Sequence, residues 1–135
     1  MVRSRVKMDR RVLMTLPVAV AVATFFGMCP HATATPSATE SGLIVALIQR
    51  VAAMTNVSFN RNGTTATPVE AAKHMRDKYA YFRRDIGTAE DFVRLCGTRS
   101  ELTHQAYLVK TRDGTERPTA DLLLEELRSI RAVPH

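Results

Sequence analysis

Glu70 and His74 stand four residues apart in a stretch of helical character, so a carboxylate and an imidazole share one helix face. Both residue types ligate metals, but a zinc site needs three or four ligands, and no further histidine or cysteine sits at ligand spacing. We read the two as a helical ion pair and expect no metal or cofactor. Ser100, His104 and Asp113 supply the residue types of a hydrolytic triad, yet no nucleophile-elbow sequence surrounds the serine. Cys96 with His104 would give a thiol nucleophile, but Cys96 falls on the apolar side of a short helix and reads as core. No residue is therefore taken as catalytic. A different set carries binding chemistry: Arg61, Asn62, His74, Lys78, Ser100 and Thr103. If the segment holding Arg61 and Asn62 folds beside the hydroxyl-rich link around Ser100, these six line one shallow polar surface suited to a peptide, a glycan or an anionic ligand. The plainer reading is local: Arg61 covers sheet surface, His74 is half-buried, and the hydroxyls bond to nearby turns.

The opening of the chain sets the context for those residues. Arg3, Arg5, Lys7, Arg10 and Arg11 precede an uncharged run from Val12 to Met28, and Ala32-Thr33-Ala34 gives a small-residue cleavage pattern. Residues 1–34 read as a signal peptide that directs the protein to the periplasm, or as an anchor if left uncut. Pro17, Thr15, Thr24 and Gly27 weaken the run as a spanning helix. Asp9-Arg10-Arg11-Val12-Leu13-Met14 resembles a twin-arginine signal, although a general secretory route fits the ordinary basic head better, and translation from Met8 would shorten that head. Met28 before Cys29 argues against lipid modification.

The leader also takes most of the charge with it. The chain has 19 basic and 13 acidic residues, a formal +6. Removing five bases and Asp9 leaves 14 against 12, and these are interspersed, as in Arg76-Asp77-Lys78. No single-sign stripe remains to neutralise phosphates, so nucleic acid is not an expected partner. Cys96 is then the lone cysteine of the exported part, which can form no internal disulfide. About a hundred residues suffice for one core without such a staple.

Stepping along the remainder, residues 35–41 are small and polar and read as a flexible tether before a single small α+β domain over 42–135. Ile44, Leu47, Ile48 and Val51 recur at helical spacing, and the helix should end near Thr55-Asn56. Val57 to Arg61 and Thr64 to Ala66 form a hairpin around Asn62-Gly63. Thr67-Pro68-Val69-Glu70 is a capping box with proline at the first helical position, opening a helix to about Arg84 that buries Ala72, Met75, Tyr79 and Phe82. Thr88 caps a shorter helix that buries Phe92 and Leu95 and stops at Gly97. A polar link precedes the strand Ala106 to Lys110, which Asp113-Gly114 returns through Thr115 to Arg117. Pro118-Thr119 begins the last helix, burying Leu123, Leu127 and Ile130. The expected architecture is α+β: four helices packed on a small antiparallel sheet made of two hairpins, preceded by an N-terminal signal helix. Tyr107 is read chiefly as core.

Phe59-Asn60-Arg61-Asn62-Gly63, then Glu70-Ala71-Ala72-Lys73-His74-Met75-Arg76-Asp77-Lys78-Tyr79, then Thr88-Ala89-Glu90-Asp91-Phe92 resemble an uncharacterised bacterial family catalogued as domain of unknown function 5329. Ser100, Tyr107-Leu108-Val109, Pro118 and Leu123 with Glu125-Glu126-Leu127 extend the resemblance over nearly the whole exported part. It implies a small exported protein of Gram-negative bacteria and brings no activity. His104 and Ala106 stand where the family commonly has glycine and proline, and Leu122 where it has tryptophan. The resemblance also implies cysteines in many relatives at the positions of Val57 and Thr111. Bridged Cα atoms lie within about 7 Å, so the two hairpins should be neighbours and Val57 should sit beside Thr111. The function expected is a non-enzymatic periplasmic binding or accessory module, whose partner is an envelope protein, peptide or glycan and which meets the membrane only through an uncut leader. The alternatives are a small extracytoplasmic hydrolase and a membrane-tethered interaction domain.

Overall fold

The computed structural model describes residues 35–134, so the leader and signal helix expected over 1–34 lie outside the described residues. Helix α1, Ala38–Ala53, starts where Ser37 Oγ accepts a hydrogen bond from Glu40 N at 3.2 Å. The expected tether through Ser41 is thus too long, because Ser37-Ala38-Thr39-Glu40 is itself a helix-opening sequence, and residues 38–41 form the first turn. Glu40 then reaches across the fold. Its Oε2 accepts from Ala89 N at 2.7 Å, and its Oε1 lies 3.7 Å from Arg131.

Strands β1 (Val57–Arg61) and β2 (Thr64–Ala66) form the first hairpin, with Asn62 at φ 53° and Gly63 at φ 79°. Two successive left-handed residues match the right-handed twist of the flanking strands, as the Asn-Gly pair predicts. Helix α2, Pro68–Tyr81, carries the expected capping box: Thr67 Oγ1 accepts from Glu70 N at 3.3 Å and Glu70 Oε2 from Thr67 N at 2.8 Å. It stops three residues before Arg84. Arg83, Arg84 and Asp85 are exposed, whereas Ile86 is fully buried, so the chain turns there to bring Ile86 into the core.

Helix α3, Ala89–Cys96, opens on a second capping box between Thr88 and Asp91. It buries Phe92, Val93 and Cys96, while Leu95 is only half-buried. Gly97 ends it at φ −115°, outside the left-handed region. Glycine is needed there for space, since a Cβ would lie 2.3 Å from Leu123 Cδ1. Strands β3 (Leu108–Thr111) and β4 (Glu116–Pro118) give the second hairpin, and α4, Thr119–Arg131, closes the chain. The first hairpin keeps its expected bounds, whereas β3 begins at Leu108 rather than Ala106 and β4 at Glu116 rather than Thr115. Tyr107 is already engaged elsewhere, its N–H donating to Thr98 O and its carbonyl accepting from Thr119 N, both at 2.9 Å.

Among the described residues the architecture is α+β, with four helices and one four-stranded antiparallel sheet in the order β2-β1-β3-β4. The hairpins join through β1 and β3, in a register that pairs Val57 with Thr111 and Phe59 with Val109. Val57 is therefore the neighbour of Thr111, as expected. Alternation along β1 turns Phe59 and Arg61 toward α2 and leaves Ser58 and Asn60 on the other face. Phe59 and Val109 meet Ala72 and Met75 from α2 and Leu123 and Leu127 from α4, while Ile44, Leu47 and Val51 of α1 complete the core. No helix among the described residues is long and apolar enough to cross a membrane.

Candidate functional site

Three elements converge at one end of the sheet: the β1–β2 turn, the outer face of α2, and the link from Thr98 to Gln105. Asn62 holds the turn to the link. Its Nδ2 donates to Ser100 Oγ at 3.2 Å, and its Oδ1 accepts from Thr103 Oγ1 at 2.6 Å. Ser100 is buried, and its Oγ also accepts from the backbone N–H groups of Leu102 and Thr103, each at 3.3 Å. The link bends back through His104, whose φ of 57° lies in the left-handed region that glycine enters without a Cβ penalty. That conformation accounts for the glycine that the resemblance places at this position.

On α2, His74 and Lys78 are one turn apart and face the same way. Arg61 Nη1 lies 2.6 Å from His74 Nδ1, and His74 Nε2 lies 3.2 Å from Tyr107 Oη. A guanidinium can only donate, so Nδ1 must accept, the ring proton sits on Nε2, and the imidazole is neutral. Burial, followed by the positive charges of Arg61 and Lys78, pushes the His74 pKa down to about 4. Burial also raises the Tyr107 pKa, so the phenol keeps its proton. The Lys78 ammonium is buried as well. It donates to Arg99 O at 3.0 Å, lies 3.7 Å from Glu101, and sits over the rings of Tyr107 at 5.3 Å and Phe82 at 5.6 Å. Desolvation lowers its pKa, and Glu101 opposes that fall.

All six residues read from sequence as a binding set are thereby brought together. Arg61, Asn62, His74, Lys78 and Ser100 line one open cleft of about 540 Å³, and Thr103 is tied to it through Asn62. The same contacts also limit what these residues can offer, because Ser100, Asn62 and Lys78 already hold the walls together. Sequence reasoning passed over the cleft's apolar parts. Tyr81 is 82 % exposed and Leu102 is 92 % exposed, and both line the cleft beside Phe82. A leucine set in a polar link was the available signal for Leu102.

Other pairings read from sequence do not form. Glu70 is engaged in the capping box and His74 by Arg61 and Tyr107, so the helical ion pair expected between them gives way to capping and to a neutral imidazole. Among the described residues, no three potential metal ligands stand together. Asp113 accepts from Thr111 Oγ1 and from Thr115 N within the second hairpin. Among the described residues Ser100 Oγ receives only Asn62 and the backbone of its own link, so Ser100, His104 and Asp113 do not assemble as a relay. Burial pushes the Cys96 thiol up to about 12, which leaves it protonated and unreactive.

Residues 38–131 match the model of a family described as "Family of unknown function (DUF5329)". No curated protein and no solved structure matches the chain.

Proposed function

The chain belongs to the family of unknown function DUF5329, and from that premise we propose that it is a non-enzymatic binding module of the bacterial cell envelope, exported to the periplasm by its leader. The cleft takes an extended ligand, either a short peptide or a glycan strand. One observation carries this reading: Tyr81, Phe82 and Leu102 line the same cleft as the Arg61 guanidinium. Aromatic and aliphatic surface that remains wet at the edge of a polar groove is the usual arrangement for gripping the faces of sugar rings or alternate side chains of a peptide. Arg61 is exposed and aims one nitrogen at His74, so its other donors are free to meet a carbonyl, hydroxyl or carboxylate of the ligand.

Short peptides and oligosaccharides titrated into the purified protein, read by amide chemical shifts, test the proposal. Saturable shifts should map to Arg61, Tyr81, Glu101 and Leu102 with one of the two ligand classes, and the double variant Tyr81→Ala, Leu102→Ser should lose them while keeping its helical circular dichroism. Shifts confined to other surfaces, or none with either class, reject the cleft as the binding site. Mass spectrometry of the protein from the envelope fraction checks export independently, through an N-terminus near Thr35.

A further inference from the structure

The charges of the cleft do not balance. Two cations, Arg61 and Lys78, and one carboxylate, Glu101, line it, and His74 is neutral, which leaves a single positive charge in excess. Lys78 faces Glu101 at 3.7 Å, whereas Arg61 forms no salt bridge among the described residues. Arg61 Nη1 is held 2.6 Å from His74 Nδ1, an acceptor that fixes the guanidinium without cancelling its charge. A guanidinium already held in place gives up little freedom when it pairs with a carboxylate.

Apolar surface lies further along α2. His74, Lys78 and Phe82 follow one another at intervals of four, through the helix and its C-cap. At about 1.5 Å per residue, the level of Phe82 is about 12 Å from that of His74 and the guanidinium it holds. Tyr81 and Phe82 stand edge to face, with ring planes at 88°, and Leu102 lines the same cleft. Perpendicular rings and a leucine offer no flat platform for a sugar face, and suit a branched aliphatic side chain instead. An extended peptide rises about 3.3 Å per residue, so side chains four apart lie on one face about 13 Å from each other. That span matches the distance from the charged to the apolar end of the cleft.

The carboxylate of a chain terminus is typically captured by a nest of backbone N–H groups. Here the N–H groups of Leu102 and Thr103 are engaged by Ser100 Oγ, and that of Gly63 by Asn60 Oδ1. A side-chain carboxylate needs only the guanidinium. We propose, on the reading of this cleft as the binding site, that it takes an extended peptide with an acidic side chain four residues from a leucine-like one. The carboxylate pairs with Arg61, and the aliphatic side chain packs against Tyr81, Phe82 and Leu102.

The blocked peptides acetyl-Asp-Ser-Ala-Ser-Leu-amide and acetyl-Leu-Ser-Ala-Ser-Asp-amide cover both chain directions, and amide shifts of Arg61, Glu101 and Leu102 follow their binding. One of them should saturate those shifts, and asparagine in place of its aspartate should weaken it about three- to tenfold at low salt. Placing leucine next to the aspartate should weaken it by a similar factor. Arg61→Gln should erase the difference between the aspartate and asparagine peptides. Glu101→Gln removes the competing carboxylate and should tighten the aspartate peptide about two- to threefold, an opposite change that general loosening of the fold does not produce. Equal binding of the aspartate and asparagine peptides, or an unchanged preference in Arg61→Gln, overturns the carboxylate contact. Saturation by a neutral tetramer of N-acetylglucosamine, with neither peptide bound, overturns the acidic peptide and leaves the cleft as a binding site. Absence of cleft shifts with all three probes rejects both.

Discussion

Acidification from about pH 7 to about pH 5 should destabilise this protein chiefly through His74. The imidazole is neutral in the folded state because Arg61 donates to Nδ1 and because burial and two nearby cations oppose a proton. Its folded pKa of about 4 lies below the ordinary value of 6.5. The unfolded chain therefore binds a proton on this ring that the folded chain refuses, and stability rises with pH between the two values. The contribution is complete above about pH 6.5 and is lost as the pH falls toward 4. At about 1.4 kcal/mol per pH unit, the window from 6.5 to 5 corresponds to about 2 kcal/mol at full strength. The ring is only half-buried, and solvent screening reduces this to about 1 kcal/mol. For a domain of this size that is a fall in Tm of roughly 4–8 °C. The carboxylates with lowered pKa, such as Asp113 and Glu125, start from ordinary values of 3.8 and 4.5 and titrate below this window. Urea unfolding at both pH values, for the unaltered protein and for His74→Gln, isolates the effect: the variant should lack the His74 part of the pH dependence. An identical pH dependence in the two proteins, or an NMR titration of His74 with a midpoint at or above 6.5, would refute the neutral imidazole and the Arg61 contact that requires it.

Gly97→Ala forces a methyl against Leu123 Cδ1 and close to Val93 O, and Leu123 is fully buried in the core; the expected loss is about 1–3 kcal/mol in chemical unfolding. Thr67→Ala removes one arm of the α2 capping box and should cost about 1 kcal/mol by the same measurement, with the fold intact by circular dichroism. Val57→Cys combined with Thr111→Cys places two thiols on paired residues of adjacent strands, so mild oxidation should close an internal disulfide, detected as the loss of two hydrogens by mass spectrometry. The stabilisation should approach about 4 kcal/mol for a loop of this length, and buried Cys96 should remain a thiol.

Much of the fold was legible because its signals are local. The hairpin at Asn62-Gly63, the capping boxes at Thr67 and Thr88, and the helical spacing of Ile44, Leu47 and Val51 each depend on residues within a turn or two of one another. Local signals also misled. The small polar residues 38–41 read as a tether, yet they are held as helix by the Ser37 cap and by Glu40 bonding to the start of α3, a partner 49 residues away. The end of α2 was misplaced for a similar reason, since the demand to bury Ile86 is made by the core and not by the residues around Tyr81.

The candidate site divides in the same way. Residue types alone determined that Arg61, Asn62, His74, Lys78, Ser100 and Thr103 could act together, and determined that no recognisable catalytic sequence was present. Only the pairing of β1 with β3 decided that they meet, because that pairing carries the first turn to the link 98–105 and lets Asn62 clasp Ser100 and Thr103. Tertiary structure alone also made His74 neutral, Lys78 buried, and Tyr81 and Leu102 exposed. Charge state and exposure depend on what lies across the fold, and a sequence lists neighbours along the chain but not across it.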